Sequence, residues 1–362
     1  MEFAYKEKFT TNLLHWNKNL NNRKMPWKGE KDAYKIWLSE IILQQTRVEQ
    51  GWSYYEKFIQ HFPTIQHLAN ANDEFVFKLW EGLGYYNRCK NLLITSRIIV
   101  KNNAGIFPNS YDELLALKGV GVYTAAAIAS FAFNLPYAVV DGNVFRVLAR
   151  YFGVSTAIDS NKGKKIFAQL AQEVLNKKNA AVYNQAIMDF GATVCKPLMP
   201  LCSNCVLKKN CFAINNSLIH HLPIKEKVLV KKNRWMYYFI FQYKKNILVN
   251  KRTTKDIWQN LHEFYLIESD APIFWNEAII DEWMHQQFLI KNFKINSISS
   301  LQIQQLTHQK IKSQFIYIQL FSLPAVLKKY QWIELKKIKQ LAFPKLMTQY
   351  FESGIFFKNT IT

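Results

Sequence analysis

Through the first 215 positions of this 362-residue chain, hydrophobic residues recur at three- and four-residue intervals, the spacing of amphipathic helices. The stretch EFVFKLWEGLGYYNRCKNLLITSRIIVKN keeps that spacing and predicts a helix over 74–101, and KKIFAQLAQEVLNKK predicts another. The runs are separated by FPTI, GIFPNS, LKGVG and DGN, which hold the residues that turn a chain. Beyond Cys211 the texture changes. NNSLIHHLPIKEKVLVKKN is polar, charged and interrupted by proline, and 217–233 reads as a linker. WMYYFIFQY, NILVNKR and SQFIYIQLF are short, aromatic and β-branched, and predict strands. PIFWNEAIIDEWMHQQF predicts a helix among them. The pattern thus predicts a mostly α domain over 1–216 and a smaller α+β domain over 234–362.

Composition narrows the class. Hydrophobic residues make up 49% and charged residues 20%, a globular balance. There is no apolar run of membrane-spanning length, and MEFAYKEKFTTNLLHW lacks the pattern of a secretory signal. The expectation is a cytoplasmic protein, with no membrane partner, whose thiols stay reduced. The net charge is +21, with ten of the excess basic charges in residues 1–224 and eleven in 225–362. Charge on both halves fits two parts that face one polyanion, although a general richness in Lys, Asn and Ile contributes to it.

Three features carry candidate chemistry. Four of the five cysteines, Cys195, Cys202, Cys205 and Cys211, fall in one short stretch with the spacing C-x6-C-x2-C-x5-C. Four thiolates in one loop can wrap a 4Fe–4S cluster or a structural zinc, and a single C-x2-C pair favours iron–sulfur. Cys89 falls on the predicted helix 74–101 and reads as a core residue. In LKGVGVYTAAAIASFAF, Gly119 and Gly121 open a helix of small apolar residues; the turn is either a tight interhelical link or a cradle of N–H groups for phosphate. Two carboxylates complete the set. Asp141 in VVDGNVFRVLARYFG suits a helix N-cap; the alternative is a carboxylate held at the mouth of a cleft. In IWLSEIILQQTRVEQGW, Glu40, Gln44 and Arg47 fall at i, i+4 and i+7 and are predicted to share one helix face.

Together these motifs resemble the endonuclease III superfamily of DNA repair glycosylases, built around a helix-hairpin-helix. The cysteine spacing resembles that superfamily's 4Fe–4S loop, whose lysines (here Lys196, Lys208 and Lys209) are implied to face phosphate. L-x-G-V-G resembles its DNA-binding hairpin, over about 112–133. W-L-S-E-x-x-L-Q-Q-T-x-V, with MPWKG before it and W-E-G-L-G-Y-Y-N-R after it, resembles the adenine DNA glycosylases in particular. The resemblance implies roles residue by residue. Glu40 is the acid that protonates the departing adenine, and Asp141 stabilises the oxocarbenium ion or captures it. Tyr123 stands over the sugar, where the strand-cutting members carry a lysine, and Asn143 contacts the sugar–phosphate or helps hold the site. Gln44, Gln45, Arg47 and Tyr85 join Gly119 and Gly121 in contacting DNA, Gln45 and Tyr85 as wedges. Arg23, Trp27 and Lys28 line the adenine pocket. Residues 235–268 resemble a Nudix-like domain, keeping Arg252, Trp258, Leu261 and Phe264 but with Asn260 where glycine is usual. No complete Nudix box is present, so binding is expected there rather than pyrophosphate hydrolysis. Leu306, Thr307 and His308 are the best match to the loop that reads 8-oxoguanine.

The implied activity is monofunctional: adenine opposite 8-oxoguanine or guanine is flipped from double-stranded DNA and hydrolysed away by a monomer in the nucleoid, carrying one 4Fe–4S cluster. Two alternatives stand beside it. One is a bifunctional glycosylase/lyase for oxidised pyrimidines, against which Tyr123, Glu40 and the second domain argue. The other is a non-catalytic DNA-binding module with a structural metal.

Overall fold

The computed structural model describes residues 2–226 and 230–352. The chain divides into two compact units, Met1–Asn70 with Lys90–Lys227, and Ala71–Cys89 with Val228–Thr362. Helices fill the N-terminal part: α1 (Glu2–Asn19), α2 (Ala33–Leu43), α3 (Val48–His61), α4 (Ile65–Ala69), α5 (Asp73–Trp80), α6 (Asn87–Asn103), α7 (Tyr111–Ala116), α8 (Val122–Phe133), α9 (Gly142–Phe152), α10 (Asn161–Glu173), α11 (Ala180–Thr193) and α12 (Phe212–Asn215).

Local chemistry sets their ends. Asp32, Asn72, Ser110, Asp141 and Ser160 each accept a backbone N–H from the first turn of the helix that follows. Asn134 and Gly153 close α8 and α9 in the left-handed conformation. On α9, Val144, Val147, Leu148 and Tyr151 follow the helical repeat and are buried against Phe9, Leu13 and Trp16 of α1, Phe167 of α10 and Phe190 of α11. Four of the five alanines of α8 are buried as well, and their small side chains let α2 lie close against it. This packing fixes the ends of α2, α8 and α9, the three helices that carry the candidate catalytic groups.

The helical periodicity of 74–101 conceals a break. The run divides into α5 and α6 around a turn in which Gly82, Gly84 and Tyr85 all have positive φ, a conformation that ends a helix. The segment 71–89 belongs to the second unit, although it lies inside the predicted helical domain. Lys78 Nζ donates to the Leu341 carbonyl at 3.0 Å, the Glu81 carboxylate accepts from the Phe343 N–H at 2.8 Å, and Lys251 pairs with Glu74 at 3.3 Å. A second correction concerns Glu40, Gln44 and Arg47, which do not share a helix face. α2 ends at Leu43, Gln45 turns the chain with φ of +55°, and Arg47 caps the next helix.

The second unit is built on an eight-stranded mixed sheet: β1 (Lys232–Tyr243), β2 (Asn246–Lys251), β3 (His262–Glu263), β4 (Tyr265–Ser269), β5 (Phe293–Ile298), β6 (Gln302–Gln305), β7 (Gln309–Leu320) and β8 (Gln331–Glu334). The central pair β1 and β7 is parallel and runs in register from Lys232 opposite Gln309 to Tyr243 opposite Leu320. Helix α13 (Glu277–Phe288) covers Tyr237, Phe239, Phe241, Ile316 and Ile318, while α14 (Lys345–Glu352) brings Tyr350 to stack on Phe315. Asn260 has φ of +70°, so asparagine holds the left-handed turn that glycine holds more easily. Strand β7 begins at Gln309, ahead of the predicted run SQFIYIQLF, which leaves Leu306, Thr307 and His308 as the whole loop of the β6–β7 hairpin.

Candidate active site

A cavity of about 350 Å³ opens in the first unit. Glu40 from α2, Tyr123 from α8, and Asp141 and Asn143 from the start of α9 all line it. These residues are far apart in sequence, and the helix ends bring them together.

Glu40 is buried, at 6% exposure. Burial pushes its carboxyl up to about 7; a hydrogen bond from Tyr123 opposes the rise and the nearby charge of Asp141 adds to it. Asp141 is also raised by burial, but its ionised form is supported by donors. Oδ1 accepts the Val144 N–H at 2.8 Å, Oδ2 accepts from Asn143 Nδ2 at 2.7 Å, and the Arg146 guanidinium is close enough to favour the charge. The cap and the cleft carboxylate are therefore one residue in both capacities. One carboxyl is neutral through much of the range below pH 7 and the other accepts two hydrogen bonds and faces the Arg146 charge, which is the division that general acid and electrostatic stabiliser require. The Tyr123 hydroxyl is pushed well above its ordinary value by burial and by both carboxylates, and so remains a donor.

Arg23, Met25, Trp27 and Lys28, from the loop before α2, also line the cavity. Trp27 is buried against Tyr55 and Trp52 as well, so it is a core residue with one face on the cavity. Arg23 and Lys28 converge on Asp189 of α11, each at 2.9 Å, and Asn21 and Gln185 donate to the same carboxylate at 2.8 and 2.9 Å. Asp189 is fully buried and holds the loop against α11. The sequence reading missed it; its signal is an acid among the apolar positions of NQAIMDFGA.

Gln44 Nε2 donates to Thr124 Oγ1 at 3.2 Å, while Gln45 and Arg47 are exposed. In the turn between α7 and α8, Gly119 has φ of +80°, and a Cβ there would meet Asn91 at 2.7 Å. Gly121 has an ordinary φ of −100° with open space around it, so its bareness leaves backbone N–H groups accessible. Within the second unit the Tyr85 hydroxyl and Thr307 Oγ1 share a short hydrogen bond, and Tyr85 is 44% exposed.

The four loop cysteines carry no disulfide, and Cys89 is buried on α6. Burial raises the thiols of Cys202, Cys205 (to about 12) and Cys211, and neighbouring loop cysteines add to each rise. Among the described residues, no three His, Cys, Asp or Glu side chains lie close enough to hold a single metal ion. Two buried arginines of α9, also missed in the sequence, hold the loop. Arg146 donates to the Cys195 carbonyl at 2.7 Å and to Asn143 Oδ1 at 2.7 Å, which links the loop to the cavity. Arg150 donates to the carbonyls of Lys196, Pro197 and Leu222 and lies 3.6 Å from Cys195 Sγ.

Residues 38–177 match the HhH-GPD superfamily of base excision DNA repair proteins, and residues 236–353 match a NUDIX domain. The adenine DNA glycosylase of Buchnera aphidicola subsp. Acyrthosiphon pisum (strain APS) is 36% identical over 295 residues, covering 80% of this chain and 81% of its own. That of Buchnera aphidicola subsp. Schizaphis graminum (strain Sg) is 32% identical over 362 residues, covering 95% and 98%. The structure of a thermostable thymine-DNA glycosylase is similar, with 29% identity, 59% of this chain and 98% of that chain covered, and a TM-score of 0.55. The helical unit is thus that of a helix-hairpin-helix base-excision repair enzyme, joined to a Nudix-like domain. The chain belongs to the adenine DNA glycosylase family, enzymes that cleave an N-glycosidic bond.

Proposed function

We propose that this protein is a monofunctional glycosylase, acting as a monomer, that removes adenine from double-stranded DNA where it is mispaired with 8-oxoguanine or guanine. The observation that carries the proposal is the pair of unlike carboxyls on one cavity, Glu40 pushed up to about 7 and Asp141 held by donors. The adenine leaves the stack and enters the cavity between Trp27, Arg23 and Lys28. Glu40, protonated, donates to the base so that it departs neutral. Asp141, ionised, faces the positive charge left on the sugar, and Asn143 holds it in place. Glu40, now a carboxylate, takes a proton from the attacking water. Tyr123 holds Glu40 in orientation and offers no amine for a Schiff base, so the strand stays intact.

On the DNA side, Gly119 and Gly121 present backbone N–H groups to phosphate, with Gln44 and Arg47 near the flipped nucleotide. Gln45 and Tyr85 fill the gap beside the opposing base, and Leu306, Thr307 and His308 read that base. The hydrogen bond between Tyr85 and Thr307 supports treating the last two functions as one. Cys195, Cys202, Cys205 and Cys211 would hold a 4Fe–4S cluster. The donor set fits: four unpaired thiols that repel one another as thiolates, with the Arg150 guanidinium beside Cys195. When bound, the cluster cross-links the loop.

The test is a duplex with one adenine opposite 8-oxoguanine, incubated with the protein and treated with or without alkali. Breaks that need alkali are expected. Breaks without alkali would assign a lyase, and no base release would overturn the reading.

A further inference from the structure

The cluster loop ends in a patch that its lysines do not explain. Between Cys195 and Cys202 the chain reads KPLMPL. Leu198 is 82% exposed and Met199 80%, with Leu201 beside them at 50%. Exposed apolar side chains are ordinary when scattered, but three together on one short loop are not. The tip is also held rigidly. Pro197 and Pro200 bracket Leu198 and Met199 and fix φ on either side. Arg150 donates to the carbonyls of Lys196 and Pro197 at 2.7 and 2.9 Å, Arg146 to that of Cys195 at 2.7 Å, and the Leu201 N–H to the Val194 carbonyl at 2.9 Å. Buried guanidiniums spent on a surface loop preorganise the tip for contact, because little conformational freedom is left to lose on binding.

The charge of the neighbouring sequence selects the partner. Between Asp189 and Glu226 the chain holds no acidic residue at all, while Lys196, Lys208, Lys209 and Lys225 are all basic. Lys208 and Lys209 are exposed. A segment that carries an apolar tip and four lysines but no acidic residue in its sequence matches a surface that alternates phosphate with hydrocarbon, as the minor groove of duplex DNA does, where apolar side chains such as leucine and methionine are recurrent contacts. We infer that Leu198 and Met199 form an apolar contact with the sugar faces of the duplex, flanked by the loop lysines on phosphate. The inference rests on the DNA-binding reading above and extends it: the loop contributes an affinity component independent of salt.

That component is separable by experiment. Duplex affinity is measured for the full-length protein in a series from about 50 to about 200 mM salt. The double variant Leu198→Ala/Met199→Ala is expected to bind about tenfold more weakly at every salt concentration, with an unchanged slope of log Kd against log salt. Lys208→Ala/Lys209→Ala is expected to reduce the slope, by about one for each phosphate no longer neutralised. Because Leu198 and Met199 are exposed, the first variant should melt with the wild type, and Leu198→Glu should weaken binding further. Equal affinity of wild type and the apolar double variant overturns the inference, as does a change confined to the slope. Sedimentation in which the wild type self-associates and the variant does not assigns the patch to a second copy and also overturns it. Wild type that binds duplex but releases no adenine defeats the glycosylase reading, while the salt series still decides this one.

Discussion

Replacing Glu40 with glutamine separates the cost of burying an acid from its use. The folded protein raises this carboxyl from an ordinary 4.5 to about 7. Well below pH 4.5 the group is protonated in both folded and unfolded chains and costs nothing. As pH rises, the unfolded chain ionises first, so the folded state is progressively disfavoured until Glu40 itself ionises near pH 7. From pH 5 to pH 8 the shift amounts to about 2.5 kcal/mol, taking 1.36 kcal/mol per unit. Glu40→Gln carries no such cost. Relative to wild type, the variant should therefore gain about 2.5 kcal/mol in urea unfolding between pH 5 and pH 8, while adenine release falls by about 10²–10⁴. In wild type, single-turnover release should fall about tenfold per pH unit above about 7. A stability difference that is the same at both pH values, or a release rate flat from pH 6 to pH 9, would refute the assignment.

Other outcomes follow from the same site. Tyr123→Phe removes the hydrogen bond that holds Glu40 down, so the alkaline limb of the release profile should move to higher pH in the same single-turnover assay. Asp141→Asn keeps a good N-cap, so its melting temperature should stay near wild type while release drops by at least about a thousandfold; joint loss of stability and release would make Asp141 only a cap. Asp189→Ala strands Arg23 and Lys28 beside a buried gap, and calorimetry should show a loss of about 3 kcal/mol or more. Gly119→Ala is strained by its φ of +80° and by Asn91, and duplex affinity should fall, whereas Gly121→Ala should fold normally.

Periodicity exposed the helical unit because most of its helices bury one face, and the change to short aromatic runs marked the sheet. It failed at 74–101, where Gly82, Gly84 and Tyr85 turn the chain without disturbing the spacing of apolar residues. It failed again over 40–47, where α2 stops at Leu43 and Gln45 turns the chain, so that Glu40, Gln44 and Arg47 do not share a face. The spacing alone marked the four cysteines as one loop, and the Asp141 cap was legible because its chemistry is local. Asp189, Arg146 and Arg150 were not, because each acts across more than forty residues on partners that only folding supplies.

The membership of 71–89 in the second unit bears on how the chain is made. Synthesis delivers α5 and the Tyr85 turn early, yet Lys251, Thr307, Leu341 and Phe343, which hold them, come from the last third of the chain. The helical unit can close behind this segment while it waits, but the Tyr85 hydroxyl meets Thr307 only when the sheet exists. A chain cut short after the cysteine loop would keep both carboxylates and lose every one of those partners. The order of assembly thus leaves the residue proposed to probe the opposing base as the last of the early segments to be fixed.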